Sequence, residues 1–311
     1  MTDSLNKPLS ARPRSTWREW IAASSPATPL QARMQQLWLQ WHRFSANRSA
    51  LFGLLVLLFI LAAALLAPVL ANQDIYVQDL SHRLQPPSAD HWLGTDELGR
   101  DIYSRLIFGA RITLYIAALT AVIITPLGLI IGTTAGYFGG WVDTVLMRLV
   151  DIFLAFPSLV LALAFVAALG PGLENTIIAI ALSSWPPIAR LARAETLSIR
   201  KMDYIAAIRL QGASSWHIIL HHLMPMCLPS VVVRVTLNMA AIILTAAGLG
   251  FLGLGAQAPC PEWGAMLSSG REFMMNHGWI AAIPGLAILF TSLAFNLLGD
   301  GLRDVMDLRH E

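Results

Sequence analysis

Leu51 to Ala71 is a run of 21 residues without one charged side chain. About 20 such residues carry a helix across the hydrocarbon of a bilayer, where no water satisfies an exposed backbone group. Further apolar stretches follow at 112–135, 144–169, 173–189, 226–255 and 278–298. Only 13% of the chain is charged and 56% is hydrophobic. A soluble domain carries about 25% charge. The chain is therefore expected to be an all-α polytopic membrane protein with six transmembrane helices.

Charge orients these spans. The first 50 residues hold seven Lys or Arg, whereas the loop from Asn72 to Phe108 holds six acids and three bases. The positive-inside rule puts the N-terminus in the cytoplasm and that loop outside, and six spans then return the charge-balanced C-terminus to the cytoplasm. Residues 1–50 read as a mobile tail of about 28 residues plus an interfacial elbow helix with Leu30, Met34, Leu37, Trp41 and Phe44 on one face. Residues 51–298 form the transmembrane domain, and 299–311 a cytoplasmic tail. Val69-Leu70-Ala71 looks like a cleavage site, but the preceding region is far too long for a signal peptide, so an uncleaved anchor is expected. Pro157 is expected to kink the third span, and the fourth ends near Pro186-Pro187. Cys227 and Cys260 fall near opposite faces, which argues against a disulfide. Asp151 and Arg148 are expected to pair locally. The ten Trp suit interfacial anchoring. A formal net charge of +2 gives no reason to expect nucleic acid.

The stretch from Met202 to Pro225 is polar between two apolar spans. Asp203 suits a helix N-cap. Tyr204 to Gln211 then make a short helix carrying Ala206, Ala207 and Arg209, and Gly212 sits where a left-handed C-terminal cap is wanted. After Ala213, Ser214 or Ser215 can cap a second short helix bearing Trp216, and Pro225 leads into the next span. Such a unit, with coupling helices at 203–222, is a rigid knuckle fit to meet a soluble partner. An ordinary cytoplasmic loop is the bland alternative.

Other constellations carry less. Asp96, Arg100, Asp101 and Arg105 are spaced to pair with one another on neighbouring helical turns. Arg234 lies within an apolar stretch, where a charge costs about 2.5 to 3.5 kcal/mol; it either snorkels or faces a pathway. His217, His221 and His222 have one-turn spacing, but no Glu follows His217, so the His-Glu-x-x-His metal pattern fails and no metal site is expected. Neither lysine, Lys7 nor Lys201, follows a glycine, so no phosphate-binding Gly-Lys-Ser/Thr element exists. A membrane-embedded enzyme lacks the deep catalytic groups it needs. A passive channel would have no use for the knuckle.

The knuckle resembles the coupling loop of bacterial ABC-importer permeases, in which Glu-Ala-Ala is followed after three residues by Gly and closed by Leu-Pro. Here these positions are Ala206-Ala207-Ile208, Gly212 and Met224-Pro225, so the acid is absent. Four further strings closely resemble the second-permease type of the dipeptide, oligopeptide and nickel importer family: 91–105, beginning His91-Trp92-Leu93-Gly94-Thr95-Asp96; Phe251 to Gly255; Pro261-Glu262-Trp263-Gly264; and Phe295 to Asp304, which holds Asn296 and Asp300. That resemblance implies a type I ABC-importer permease fold in a bacterial inner membrane. It implies a second homologous permease, two ABC ATPase subunits and an external solute-binding protein as partners, beside membrane lipid. It also implies that ATP and Mg are used by the ATPase chains, with no cofactor bound here. The substrate is not readable from the residues; di- or oligopeptides come first, with glutathione-like peptides or nickel and other metal chelates open.

Overall fold

Among the described residues, 28–306 of the computed structural model, no strand forms; the chain is helical, with irregular segments at the turns. This is what burial in lipid demands, since a helix satisfies its backbone within the segment. Two units separate, residues 1–48 and 49–311. The first holds α1 (Pro29–Ala46), capped by Thr28, whose Oγ1 accepts from Gln31 N–H. Leu30, Leu37 and Trp41 of its apolar face are exposed. The expected tail falls on residues 1–27, outside the described set, as do residues 307–311.

The second unit is built from long helices. α2 (Arg48–Leu65) is followed by the short α3 (Ala67–Leu70), the break coming just before Pro68. α4 (Ile102–Phe138) is 37 residues long, about 55 Å at 1.5 Å per residue. α5 (Gly140–Leu154) and α6 (Ser158–Leu169) meet at 91° across Pro157, a sharper break than the expected kink. α7 (Leu173–Ser184) and α8 (Pro186–Ile199) divide the expected fourth span at Trp185. Proline starts a helix well, because its missing N–H is one of the donors a first turn leaves unsatisfied, so Pro186-Pro187 opens α8. α9 (Asp203–Leu210) precedes α10 (Ser215–Phe251), which includes a π turn at Ile219–Leu223. α11 (Trp263–Gly270) and α12 (Trp279–Met306) complete the fold, and α12 continues eight residues past the expected end of its span.

Four single helices are long and apolar enough to cross a membrane, and the bent α5–α6 pair makes five. Contacts between the helices and loops gather at two ends of this unit. At one end, here the cap, Gln73 N–H reaches Ser104 Oγ, Gly172 N–H reaches Leu254 O, and Arg105 Nη1 reaches Ile75 O. At the other, Arg200 Nη1 donates to the carbonyls of Gly136 and Tyr137. So α7 starts near the cap and α8 finishes beside the end of α4.

α4 packs most closely on α8. A Cβ on Gly132 would lie 2.3 Å from Ala189 O and 2.7 Å from Ala192 Cβ. Gly128 and Gly136, one turn away on either side, sit as tightly against Ile188 and Thr196. Small residues at four-residue spacing let two backbones approach where lipid gives no hydrophobic drive. On the opposite face of the bundle α2 touches α12 where Gly53 meets Ala294 and Leu297. Toward the cap α2 stands off and leaves an apolar groove of about 830 Å³, with Phe59, Leu106 and Phe290 in its walls. Cys227 and Cys260 are free, as their positions at opposite ends require.

Candidate functional site: the knuckle and the cap

The knuckle forms, with two corrections. Met202 is the N-cap of α9 and makes no side-chain cap bond; Asp203 is the first helical residue, where its carboxylate faces the positive end of the helix dipole. Ile205 and Ile218 are fully buried and anchor the two arms. Between them Gly212 takes φ +85°. Its N–H donates to Arg209 O at 3.0 Å, and Ala213 N–H donates to Ile208 O at 3.4 Å. This pairing is a Schellman closure, which satisfies the last carbonyls of α9 and needs a left-handed residue. Ser214 then caps the next helix, its Oγ accepting from His217 N–H at 3.3 Å.

The second correction concerns Pro225. The expected second short helix is not separate, because α10 runs unbroken from Ser215 through Pro225 into the span. A proline lacks an N–H and its ring crowds the carbonyl one turn back. The π turn just before it widens the backbone, with Met224 N–H reaching Ile219 O, so the helix passes Pro225 without stopping.

Asp203, Tyr204, Ala206, Ala207, Arg209, Gly212, Ser214, Trp216 and Pro225 are all exposed, and Ala213 is half-buried against the core. Leu210, absent from the sequence expectations, is 88% exposed at the tip. An apolar side chain directly before a Gln-Gly turn was the available signal. His217 and His221 stack at 4.5 Å between ring centroids. Nearby, Asp151 pairs with Arg190 at 2.7 Å rather than with Arg148, and Arg193 binds Asp143 through two nitrogens at 2.5 and 2.6 Å. Both pairs fasten α5 to α8.

At the cap, Asp96, Arg100, Asp101 and Arg105 come together, each buried: Asp96 and Arg100 in the turn before α4, Asp101 as its N-cap and Arg105 in its first turn. Asp96 Oδ2 accepts from Arg100 Nε at 2.7 Å, and Asp96 Oδ1 accepts from the N–H groups of Leu98 and Arg100. Asp101 caps α4 by accepting from Ser104 N–H. Arg105 donates to the carbonyls of Ile75 and Pro259, which ties the first loop to the second. Trp263 Nε1 donates to Leu106 O at 2.9 Å.

Glu262 is buried, and it caps α11 through Gly264 N–H and Ala265 N–H, both at 2.8 Å. Burial pushes its carboxyl up to about 7, and the two backbone donors oppose that rise. A folded-state value above the ordinary 4.5 means the protonated form fits the fold better. Its contribution is fully present below pH 4.5 and is lost as pH rises through about 7. The loss is at most about 3 kcal/mol. Melting purified protein at pH 5 and pH 8 should show the higher midpoint at pH 5. Glu262→Gln, an uncharged mimic of the protonated group, should flatten that difference.

The remaining expected residues are not part of either cluster. Asn296 and Asp300 are exposed on α12. Arg234 is also exposed, and Gly299 of α12 packs on Leu237 of α10. Arg234 is therefore level with the last turns of α12, which carry Arg303 and Asp304, and not with its apolar centre.

Comparisons agree with this geometry. Residues 124–310 match the family described as binding-protein-dependent transport system inner membrane component, and residues 35–87 match the N-terminal TM domain of oligopeptide transport permease C. A dipeptide transport system permease protein of Alkalihalophilus pseudofirmus is 45% identical, over 84% of this chain and 86% of its own length. A glutathione transport system permease protein of Pectobacterium atrosepticum is 43% identical, over 85% and 88%. A chain of the MetNI methionine ABC transporter, solved in inward-facing conformations, superposes with a TM-score of 0.53 at 21% identity, covering 65% of this chain and 96% of that one. The fold is thus that of an ABC-importer permease, and the chain belongs to the inner membrane components of binding-protein-dependent transport systems, in the group that carries the oligopeptide permease C N-terminal domain.

Proposed function

We propose that this chain forms half of the translocation pathway of an ATP-driven importer of short peptides in a bacterial inner membrane. A second permease supplies the other half, two ATPase chains bind at the knuckle, and an external solute-binding protein delivers substrate at the cap. The divided α7–α8 pass is counted as a sixth crossing, with the knuckle on the cytoplasmic side. The observation that carries the reading is the knuckle itself, a rigid turn that leaves Leu210, Trp216, Leu220 and Tyr204 open to solvent. Exposed apolar side chains grouped on polar backbone mark a protein contact. Peptide as substrate rests on the relative that transports dipeptides. The 43% identical relative named for glutathione supports a second reading, in which the peptide carries that tripeptide's extra carboxylate.

The chain, tagged and purified from its host membrane, should bring ATPase chains with it. Leu210→Asp puts a charge at the centre of the contact. It should reduce ATPase recovery about tenfold or more, as loss of an interface hot spot does, while the amount of inserted permease stays unchanged. Equal recovery would reject the knuckle as the docking site.

A further inference from the structure

The knuckle holds the end of α4 at three points. Arg209 of α9 lies over the Tyr137 ring, its guanidinium carbon 5.3 Å from the centroid. Trp216 at the start of α10 meets Phe138 edge-on, 6.2 Å between centroids. Arg200, which leads into α9, donates to the carbonyls of Gly136 and Tyr137 at 2.7 and 3.2 Å. The two adjacent aromatic residues therefore point to the two arms of the knuckle, and the arginine satisfies carbonyls left open at a helix C-terminus. At its other end α4 starts inside the cap, where Asp101 caps it and Arg105 bridges Ile75 and Pro259. A helix of 37 residues thus connects the cap to the knuckle.

We infer that Tyr137 and Phe138 are positioning residues of the transport cycle. They clasp the knuckle to α4, so that displacement of the knuckle by nucleotide is passed along α4 to the cap. The inference rests on the knuckle being the ATPase contact. It adds that α4 is the rod and the aromatic pair is its coupling. α4 runs as one helix between the two ends, and Pro126 within it removes a single backbone hydrogen bond without ending the helix, so movement at one end is passed to the other. Rings suit this task because edge-to-face and cation–π contacts are directional and resist shear, unlike the contact of two aliphatic side chains.

The test uses the assembled transporter, purified through a tag on this chain, and compares hydrogen exchange with and without ATP plus vanadate. In wild type, trapping should alter exchange both in the knuckle, 203–216, and in the cap, 94–105. In the double variant Tyr137→Leu and Phe138→Leu, ATPase recovery and the knuckle response should persist, while the cap response falls about tenfold, the equivalent of the two lost ring contacts. Tyr137→Phe keeps the ring and should keep the response. Should the double variant fail to insert, the single variants Tyr137→Leu and Phe138→Leu each break one of the contacts without altering the knuckle and are read in the same way. A full cap response in the double variant, or in both single variants, overturns the clasp. Absence of ATPase chains from the wild-type preparation overturns the coupling reading itself and the clasp with it.

Discussion

Gly132→Val is expected to leave no folded chain in the membrane. The atoms a Cβ would strike are Ala189 O at 2.3 Å, Ala192 Cβ at 2.7 Å and Ala189 C at 3.0 Å. Backbone atoms of a packed helix cannot rotate aside as a flexible side chain can. Ala189 and Ala192 are fully buried, so α8 has no free space to retreat into. Overpacking of this kind costs about 3 kcal/mol or more, and α4 and α8 form the central seam of the bundle. Gly132→Ala should be recovered at reduced yield with a lowered melting point. Gly285 makes the contrast: a Cβ there meets only Leu267 Cδ1, at 3.7 Å. Gly285→Ala should be neutral or stabilising by about 0.5–1 kcal/mol, since glycine weakens a helix interior. Thermal unfolding in detergent of the three variants separates the cases. A normal melting point for Gly132→Val would show that the seam between α4 and α8 is mistaken.

Gly212→Val should do the opposite, keeping the fold and removing the function. Nothing lies within 4 Å of a Cβ at this position, so no clash arises within the chain. The strain comes from φ +85°, which costs a side-chain-bearing residue about 1–2 kcal/mol, most for a β-branched one. That cost falls on the Schellman closure alone. The turn relaxes, Leu210 and Trp216 lose their fixed spacing, and a partner that must grip both arms finds neither in place. Peptide uptake in reconstituted vesicles should fall about tenfold or more, with insertion and melting point near wild type. Gly212→Asn should keep much of the activity, because asparagine tolerates the left-handed region. Unchanged uptake in Gly212→Val would mean that the turn does not couple.

Much of this was legible because lipid burial writes its demand in composition. The long apolar runs located α2, α4, α10 and α12. Their ends were missed, since a helix continues into the polar interface as long as its backbone bonds are satisfied. α4 starts ten residues before its apolar stretch because Asp101 caps it there. Gly212 was readable because only a left-handed closure explains glycine at that place. Asp203 was misread because Met202 takes the cap geometry and its neighbour is left to act through the dipole. The π turn at Ile219–Leu223 has no local signature, and the helix through Pro225 therefore looked like two. Pairs such as Asp151 with Arg190, 39 residues apart, depend on how α5 and α8 dock, and near-neighbour spacing pointed instead to Arg148. Asp96 was legible as a partner of Arg100 and Arg105, whereas the pairing of Asp101 with His91 and the link from Arg105 to Pro259 required the fold.

The account stands on the knuckle facing the cytoplasm and touching an ATPase. Leu210→Cys, in a Cys227→Ser and Cys260→Ser background, gives a single thiol at the exposed tip, and Trp92→Cys gives one at the cap. An impermeant maleimide should label Leu210→Cys only in inverted vesicles and Trp92→Cys only in intact spheroplasts, and a short thiol–amine crosslinker at position 210 should capture an ATPase chain. Labelling of Leu210→Cys from the outside, or a crosslinker that yields no ATPase from the inside, would contradict it.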